Sequence, residues 1–451
     1  MKKKLLSALL CAAMVGTMLT GCGSSNQAPA AQESGAQAET EGAEQTEPQE
    51  AAAASDEEAE IYMFISSPEY ADAINELIDA YKEVAPNVTI NYETTQNDYP
   101  TMLKAKLNSG EVPDIFSSTS GKEIDVYKEW SFNLAGQPLE GTIDPAVAEM
   151  MKSTEEGSGL YGIAIKGNFF GMVYNKEILE ASGVTQFPAT ISELEAACEK
   201  ISAAGYKPFS TGFAEWWVFK HVWQHYLDAA AANAGITPAE LVSKFEKGEA
   251  KVADYPELYD NFFKLIDLAV KYGDDKPLET ALANEEAAIA NGEAAMILGQ
   301  GAWVEADILA INPDIKIGFN GYPVSDDAKQ CQVIAGSDQA LRIAKDSKQL
   351  QATLDFVNWW YTSDYGKSWF NDVAGVIPPV ISDGESEFEV INQGNAHVAE
   401  NGAAALSIGY STDSWHQTFG ELMQAYIAGT ADKDATCAAI EEQWQAIDGA
   451  N

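Results

Sequence analysis

The chain has 451 residues, with 69 acidic against 27 basic side chains and a formal net charge of −42 at pH 7. So acidic a protein has no basic face with which to neutralise phosphates, which excludes a nucleic-acid partner. Hydrophobic residues make up 46% of the chain, ordinary for a globular protein, and a body longer than about 300 residues implies more than one core.

In chain order, Lys2-Lys3-Lys4 precede an apolar stretch from Leu5 to Leu19, broken only by Ser7, Gly16 and Thr17. This is the pattern of a secretory signal over residues 1–21, too short for a comfortable membrane span. Its end, Leu19-Thr20-Gly21-Cys22, resembles the lipobox of bacterial lipoproteins, which implies cleavage before Cys22 and lipidation of that residue. Residues 22–58 then carry nine acidic side chains, no Lys or Arg, no aromatic and no large aliphatic residue. Such a segment buries too little to offset its ordering entropy and is expected to be an acidic tether. A random coil of this length reaches on the order of 35 Å.

The body begins with Glu60–Ile65, a strand by composition, followed by the Ser66-Ser67-Pro68 loop. An amphipathic helix is predicted from Tyr70 to Val84, with apolar residues at Ile74, Leu77, Ile78 and Tyr81. Pro86-Asn87 end it, Val88–Tyr92 reads as the next strand, Tyr99–Leu107 as a helix stopped at Ser109-Gly110, and Asp114–Phe116 as a third strand. This rhythm predicts an α/β architecture with largely parallel sheets.

Chemistry-bearing residues are sparse. Arg342 is the only arginine, and the guanidinium fork is the commonest bidentate holder of carboxylates and phosphates, so the composition tilts toward a neutral ligand, with a polycation second. Cys198, Cys331 and Cys437 lack metal-ligand spacing, and whether two of them pair is left open. His221 and His225, four apart, are read as structural, since Val222 and Trp223 replace the central residues of the zinc-protease pattern. No metal, no cofactor and no catalytic motif is expected.

The segment Leu103-Lys104-Ala105-Lys106-Leu107-Asn108-Ser109-Gly110-Glu111-Val112-Pro113-Asp114-Ile115 resembles the helix, turn and strand signature of the extracellular solute-binding proteins of bacterial sugar ABC transporters, the maltose-binding-like family 1. Five later segments agree in order: Tyr161–Ala164, Met172–Leu179, Phe187–Leu194, Ala290–Met296 leading into Gly299-Gln300-Gly301-Ala302-Trp303, and Ala344–Trp369. In the third, Thr190 or Ser192 is expected to cap a helix, with Glu195 completing the box.

The resemblance implies a two-lobed periplasmic-binding-protein-like fold of type II, with discontinuous lobes and a hinged cleft. Lobe 1 is expected at residues 59–165 plus 322–374 and lobe 2 at 166–321 plus 375–451, with crossings near 165–170, 319–323 and 373–379. It implies a monomeric, lipid-anchored binding component of an importer on the extracytoplasmic face of the cell membrane, with a sugar ligand and ABC permease subunits as partners. A non-sugar solute such as a polyamine on the same fold, or a surface carbohydrate-active enzyme, are the alternatives.

A sugar site wants aromatic platforms for the C–H faces of the ring, edged by polar groups for its hydroxyls. At positions where the family carries its ligand contacts this chain has Trp303, Trp216 and Trp217, Ser117 and Ser118, and Glu69. Tyr410 and Trp415 join them on composition and position alone. Trp359, Trp360 and Trp369, in an amphipathic run, are expected in the core.

Overall fold

The computed structural model describes residues 58–153, 159–381 and 386–447. The expected signal, Cys22 and the tether up to residue 57 lie outside the described residues. The body is built on two five-stranded sheets. The strands, in chain order, are β1 (Ala59–Ile65), β2 (Val88–Thr94), β3 (Ile115–Thr119), β4 (Ile163–Ala164), β5 (Asn168–Asn175), β6 (Lys207–Ser210), β7 (Ala294–Gly301), β8 (Ile317–Asn320), β9 (Ile334–Gly336) and β10 (Gln339–Ile343).

The first sheet has the order β2-β1-β3-β10-β4. β1 runs parallel to β2 and β3, and β10 lies antiparallel between β3 and β4. The second follows β6-β7-β5-β8, with β9 also pairing β5. Every residue of β3 and β7 is buried, as expected of strands covered by helices on both faces. The helix Ala71–Val84 presents Ile74, Leu77 and Tyr81 to the first core, one stripe of a 3.6-residue period.

The lobes are discontinuous because β10 enters the first sheet from far along the chain, pairing Leu341 with Ser117. Three passages of chain link the sheets. The first runs from β4 to β5 through residues 165–167. The second lies at Ser337–Asp338, between β9 and β10. This corrects the expected crossing at 319–323: β8 ends in the second sheet, Tyr322 and Val324 pack in the second core, and β9 adds to β5 before the chain leaves. In the third, Val376 and Val380 still pack in the first core although Ile377 between them already touches the second-lobe cluster, which Phe388 and the helix Glu389–Asn401 then join. The expected boundary at residue 375 is therefore too early.

Trp360 and Trp369 are buried in the first core with an edge-to-face contact of 5.1 Å, while Trp359 is half-buried against Tyr81 and Tyr365. Thr190 caps the helix Ile191–Ala203, and the reciprocal partner is Glu193 rather than Glu195, because the box closes at the third helical position. Glu195 pairs instead with Lys264 at 2.8 Å. Cys198, Cys331 and Cys437 are buried free thiols.

Candidate binding cavity between the lobes

A cavity of about 430 Å³ lies where the two sheets face each other. The first lobe contributes Glu69, from the loop after β1, and Gln339, the first residue of β10. Lys166 and Asp338 come from the first two crossings, and Asn168 is the first residue of β5. The second lobe supplies Glu215, Trp217, Lys220 and His221 at the start of the helix Trp217–Asn233, Glu286 from the helix Leu282–Ala290, and Trp303 and Asp307 after β7.

Aromatic rings form one part of the wall. Trp217 and His221 sit one helical turn apart with ring centroids 5.3 Å from each other, and His221 lies 5.6 Å from Trp303. Phe170 of β5 closes the cluster at 4.9 Å from His221 and 5.7 Å from Trp303.

The indole of Trp303 is fixed by a relay. Its Nε1–H donates to Gln300 Oε1 at 3.1 Å, and Gln300 Nε2 donates to Glu285 Oε2 at 2.7 Å. Burial holds the Glu285 carboxyl well above the usual range. The Gly299-Gln300-Gly301 segment is the end of β7 rather than a free turn. Gly299 takes φ +74°, and a side chain on Gly301 would collide with the Phe169 carbonyl and the Trp303 ring.

Charge is arranged in an uneven pattern. Lys166 Nζ donates to Glu69 Oε1 at 3.0 Å and lies over the Tyr70 ring. Burial pulls the Lys166 pKa down, but Tyr70, Glu69 and Asp338 around it win, and the net shift is upward. Asp338 is the mirror case: burial would raise it, yet Lys166, Lys220 and the hydrogen bond from Asn168 hold it below the usual carboxylate value.

His221 is neutral, its pKa lowered to about 3 by burial and then by Lys220. Its Nδ1 stands 2.8 Å from the Gly299 carbonyl, which only accepts, so Nδ1 carries the proton and Nε2 is a bare acceptor. That Nε2 is buried without a partner, 4.0 Å from Asp338 Oδ2.

Glu286 is 6% exposed, lines the cavity, and has no hydrogen bond or cation among the described residues. Burial, reinforced by Asp307, pushes its carboxyl up to about 8. An acid with a folded pKa above its unfolded value of about 4.3 contributes stability that is full below that value and is lost as the pH rises toward the folded pKa. Glu286→Gln is therefore expected to match the parent near pH 4 and to exceed it above about pH 8, by on the order of 2 kcal/mol. Denaturant melts of ligand-free protein across this range check it.

Of the residues expected from sequence, Trp303, Trp217 and Glu69 meet in the cavity. Trp216 does not: it is buried in the second core, its backbone against Gly420 and its ring under Lys220. Ser117 faces inward, where its Oγ accepts from the Ser66 amide at 2.9 Å. Ser118 Oγ accepts from Arg342 Nε at 2.8 Å. Trp415 stacks on Phe419 and Trp444 in the second core, and Tyr410 packs half-buried against that core.

Lys166, His221, Asp338 and Glu286 were not anticipated. His221 had a legible signal, four residues after Trp217 on one helix face; Asp338 was hidden by the misplaced second crossing. His225 is buried with Nδ1 at 3.2 Å from the Gln332 carbonyl, and no group of metal-ligating side chains occurs among the described residues. Ser411 and His416 are hydrogen-bonded, but both are buried beside a void of about 10 Å³, room for no more than one water.

The sequence profile of the bacterial extracellular solute-binding proteins matches residues 66–367. The multiple sugar-binding protein of Streptococcus mutans is 23% identical over 308 residues, covering 67% of this chain and 71% of that one. The melibiose/raffinose/stachyose-binding protein MelE of Bacillus subtilis is 22% identical over 306 residues, 66% and 68% of the two chains. Among solved structures, a sugar transporter from Bacillus licheniformis in complex with stachyose superposes with a TM-score of 0.73 at 18% identity, covering 86% of this chain and 100% of that one. RafE in complex with raffinose gives 0.73, 18%, 86% and 99%.

Proposed function

The chain belongs to the bacterial extracellular solute-binding protein family, and from that premise we propose that it captures a carbohydrate and delivers it to an ABC permease. The observation that carries this reading is the cavity itself. Trp217 and Trp303 line it beside polar groups drawn from both lobes. Ring faces take the apolar C–H surfaces of a sugar, and the surrounding carboxylates, amides and lysines take its hydroxyls. Ligand that touches both lobes at once favours the closed arrangement, which is the differential binding a hinge requires.

Two further observations support a sugar over the alternatives. Arg342 is fully buried and absent from the cavity lining, so no guanidinium is offered to an anionic ligand. The multiple sugar-binding protein and MelE, two of the chain's sequence relatives, are named for sugars, which favours carbohydrate over a polyamine. Nothing in the reading calls for turnover, and the protein is taken as a binder, not an enzyme. Titration calorimetry with melibiose, raffinose, stachyose and shorter sugars tests it: saturable one-to-one binding is expected, and indifference to every carbohydrate alongside binding of a polyamine would overturn it.

No helix among the described residues is long and apolar enough to cross a membrane. Membrane attachment is assigned instead to lipidated Cys22, with residues 22–58 as tether and a monomeric body held outside the cell membrane. Cys22→Ser is expected to abolish labelled-lipid incorporation and to leave the protein unprocessed or released, with ligand affinity unchanged. Unaltered lipid labelling and membrane retention would rule the anchor out.

A further inference from the structure

The polar groups of the cavity divide into a satisfied half and an unsatisfied half. At the first lobe and the crossings several serve one another, Gln96 and Asn97 being the exceptions: Gln339 Nε2 donates to the Ser66 carbonyl at 2.8 Å, its Oε1 accepts from Ser67 at 2.8 Å, and Asn168 donates to Asp338 at 3.0 Å. The second-lobe wall is different. Glu286 is more than nine-tenths buried, faces the cavity and has no hydrogen bond or cation among the described residues; Asp307 stands beside it on the next helix. The nearest lysine on that lobe's wall, Lys220, is engaged by Asp413 at 3.3 Å. His221 adds a buried acceptor, Nε2, with no donor to meet it.

Trp217 Nε1 is the one buried unpaired donor on this wall among the described residues; its other open groups are acceptors, and most of them are carboxyls. A sugar hydroxyl donates one hydrogen and carries no charge. An ammonium donates three and neutralises a carboxylate pair that otherwise repels itself. Resting on the sugar-binding reading, we propose that Glu286 and Asp307 form a subsite for a protonated amine, so that the captured carbohydrate carries an amino sugar with a free amino group.

The raised Glu286 carboxyl gives the subsite a second signature. Its proton is retained near pH 7 because burial and Asp307 oppose charge. The other charged groups lining the cavity are Glu215, Lys220, Lys166 with Glu69, and Asp338. An arriving ammonium reverses the balance at Glu286, so binding of the amine releases a proton at neutral pH, whereas a neutral sugar releases none.

The test is calorimetry on the purified protein with glucosamine, galactosamine, mannosamine and the free-amine di- and trisaccharides of β-1,4-glucosamine. Each is compared with its N-acetylated and its hydroxyl counterpart, at pH 7 in two buffers of different ionisation heat. At least one amine-bearing probe is expected to bind about tenfold or more tighter than both counterparts and to show proton release. Glu286→Gln should reduce that preference to within about twofold, and Asp307→Asn should weaken it, the preference being read as the ratio of amine to neutral-counterpart affinity within each variant. Thermal melts confirm that both variants are folded.

Neutral sugars binding as well as or better than every amine, or a preference that survives Glu286→Gln, would overturn the subsite and leave the sugar reading standing. Binding of no carbohydrate at all would remove both.

Discussion

Replacing Arg342 with methionine is expected to lower the folding stability of the body by about 4 kcal/mol, without altering the ligand affinity of the molecules that remain folded. The guanidinium is completely buried and acts as a hub of the first lobe. Nε donates to Ser118 Oγ at 2.8 Å, Nη1 to Ser131 Oγ at 2.9 Å, and Nη2 to the Glu123 carbonyl at 2.6 Å. The Tyr161 carbonyl accepts at 3.3 Å. Burial lowers its pKa to about 10, with Glu123 opposing the shift, so it stays charged at every physiological pH.

Methionine fills much of the same space but donates nothing: the buried Ser118 and Ser131 hydroxyls keep the bonds they donate to the Thr119 and Tyr127 carbonyls, but they and the Glu123 carbonyl each lose a charged donor that water cannot replace. The effect on folding is therefore larger than the net worth of the bonds removed. Urea melts and titration of the same preparation separate the two quantities. A loss below about 1 kcal/mol would mean that the hub is dispensable.

Trp303→Ala is expected to weaken sugar binding by about 30- to 100-fold, the equivalent of about 2–3 kcal/mol of lost ring burial and stacking. A stability cost of about 2 kcal/mol should accompany it, less than the 3–5 of a fully buried aromatic, because the half-buried indole packs against clusters of both lobes yet still lines the cavity. Trp303→Phe, which keeps a ring but loses the bond to Gln300, should recover most of the stability and part of the affinity. Near-native affinity in a destabilised Ala variant would make Trp303 a packing residue only.

The lobes were legible in the sequence wherever local signals act. The stripe Ile74, Leu77, Tyr81 gave its helix, and the threonine at 190 gave a cap, although the partner was Glu193. The second crossing was not legible. β9 is three residues long and β8 four, too short for a period-two pattern to declare which sheet they join. Pairing with β5 decides that, and no residue near Ile334 encodes its partner locally.

The tryptophans divide along the same line. All are apolar aromatics near glycines or helix starts, yet Trp217 lines the cavity while Trp216, one residue earlier, packs into the second core. A helix turns about 100° per residue, so neighbours face different surroundings. Which of the two directions is the cleft depends on where β7 and the first lobe lie.

By itself the sequence determined the α/β class, the membership of a family with a two-lobed design, and the scarcity of arginine. Those properties follow from periodicity, composition and short motifs, each carried by residues close together in the chain. The tertiary structure alone decided the cavity. Glu69, Lys166 and Asp338 come from three separate stretches and acquire their mutual charge only when the crossings meet. Glu286 becomes an unpaired carboxyl facing that space only because the helix Leu282–Ala290 turns it inward where no described cation pairs with it. Desolvation and charge pairing are set by distances in space, and spacing along the chain does not record them.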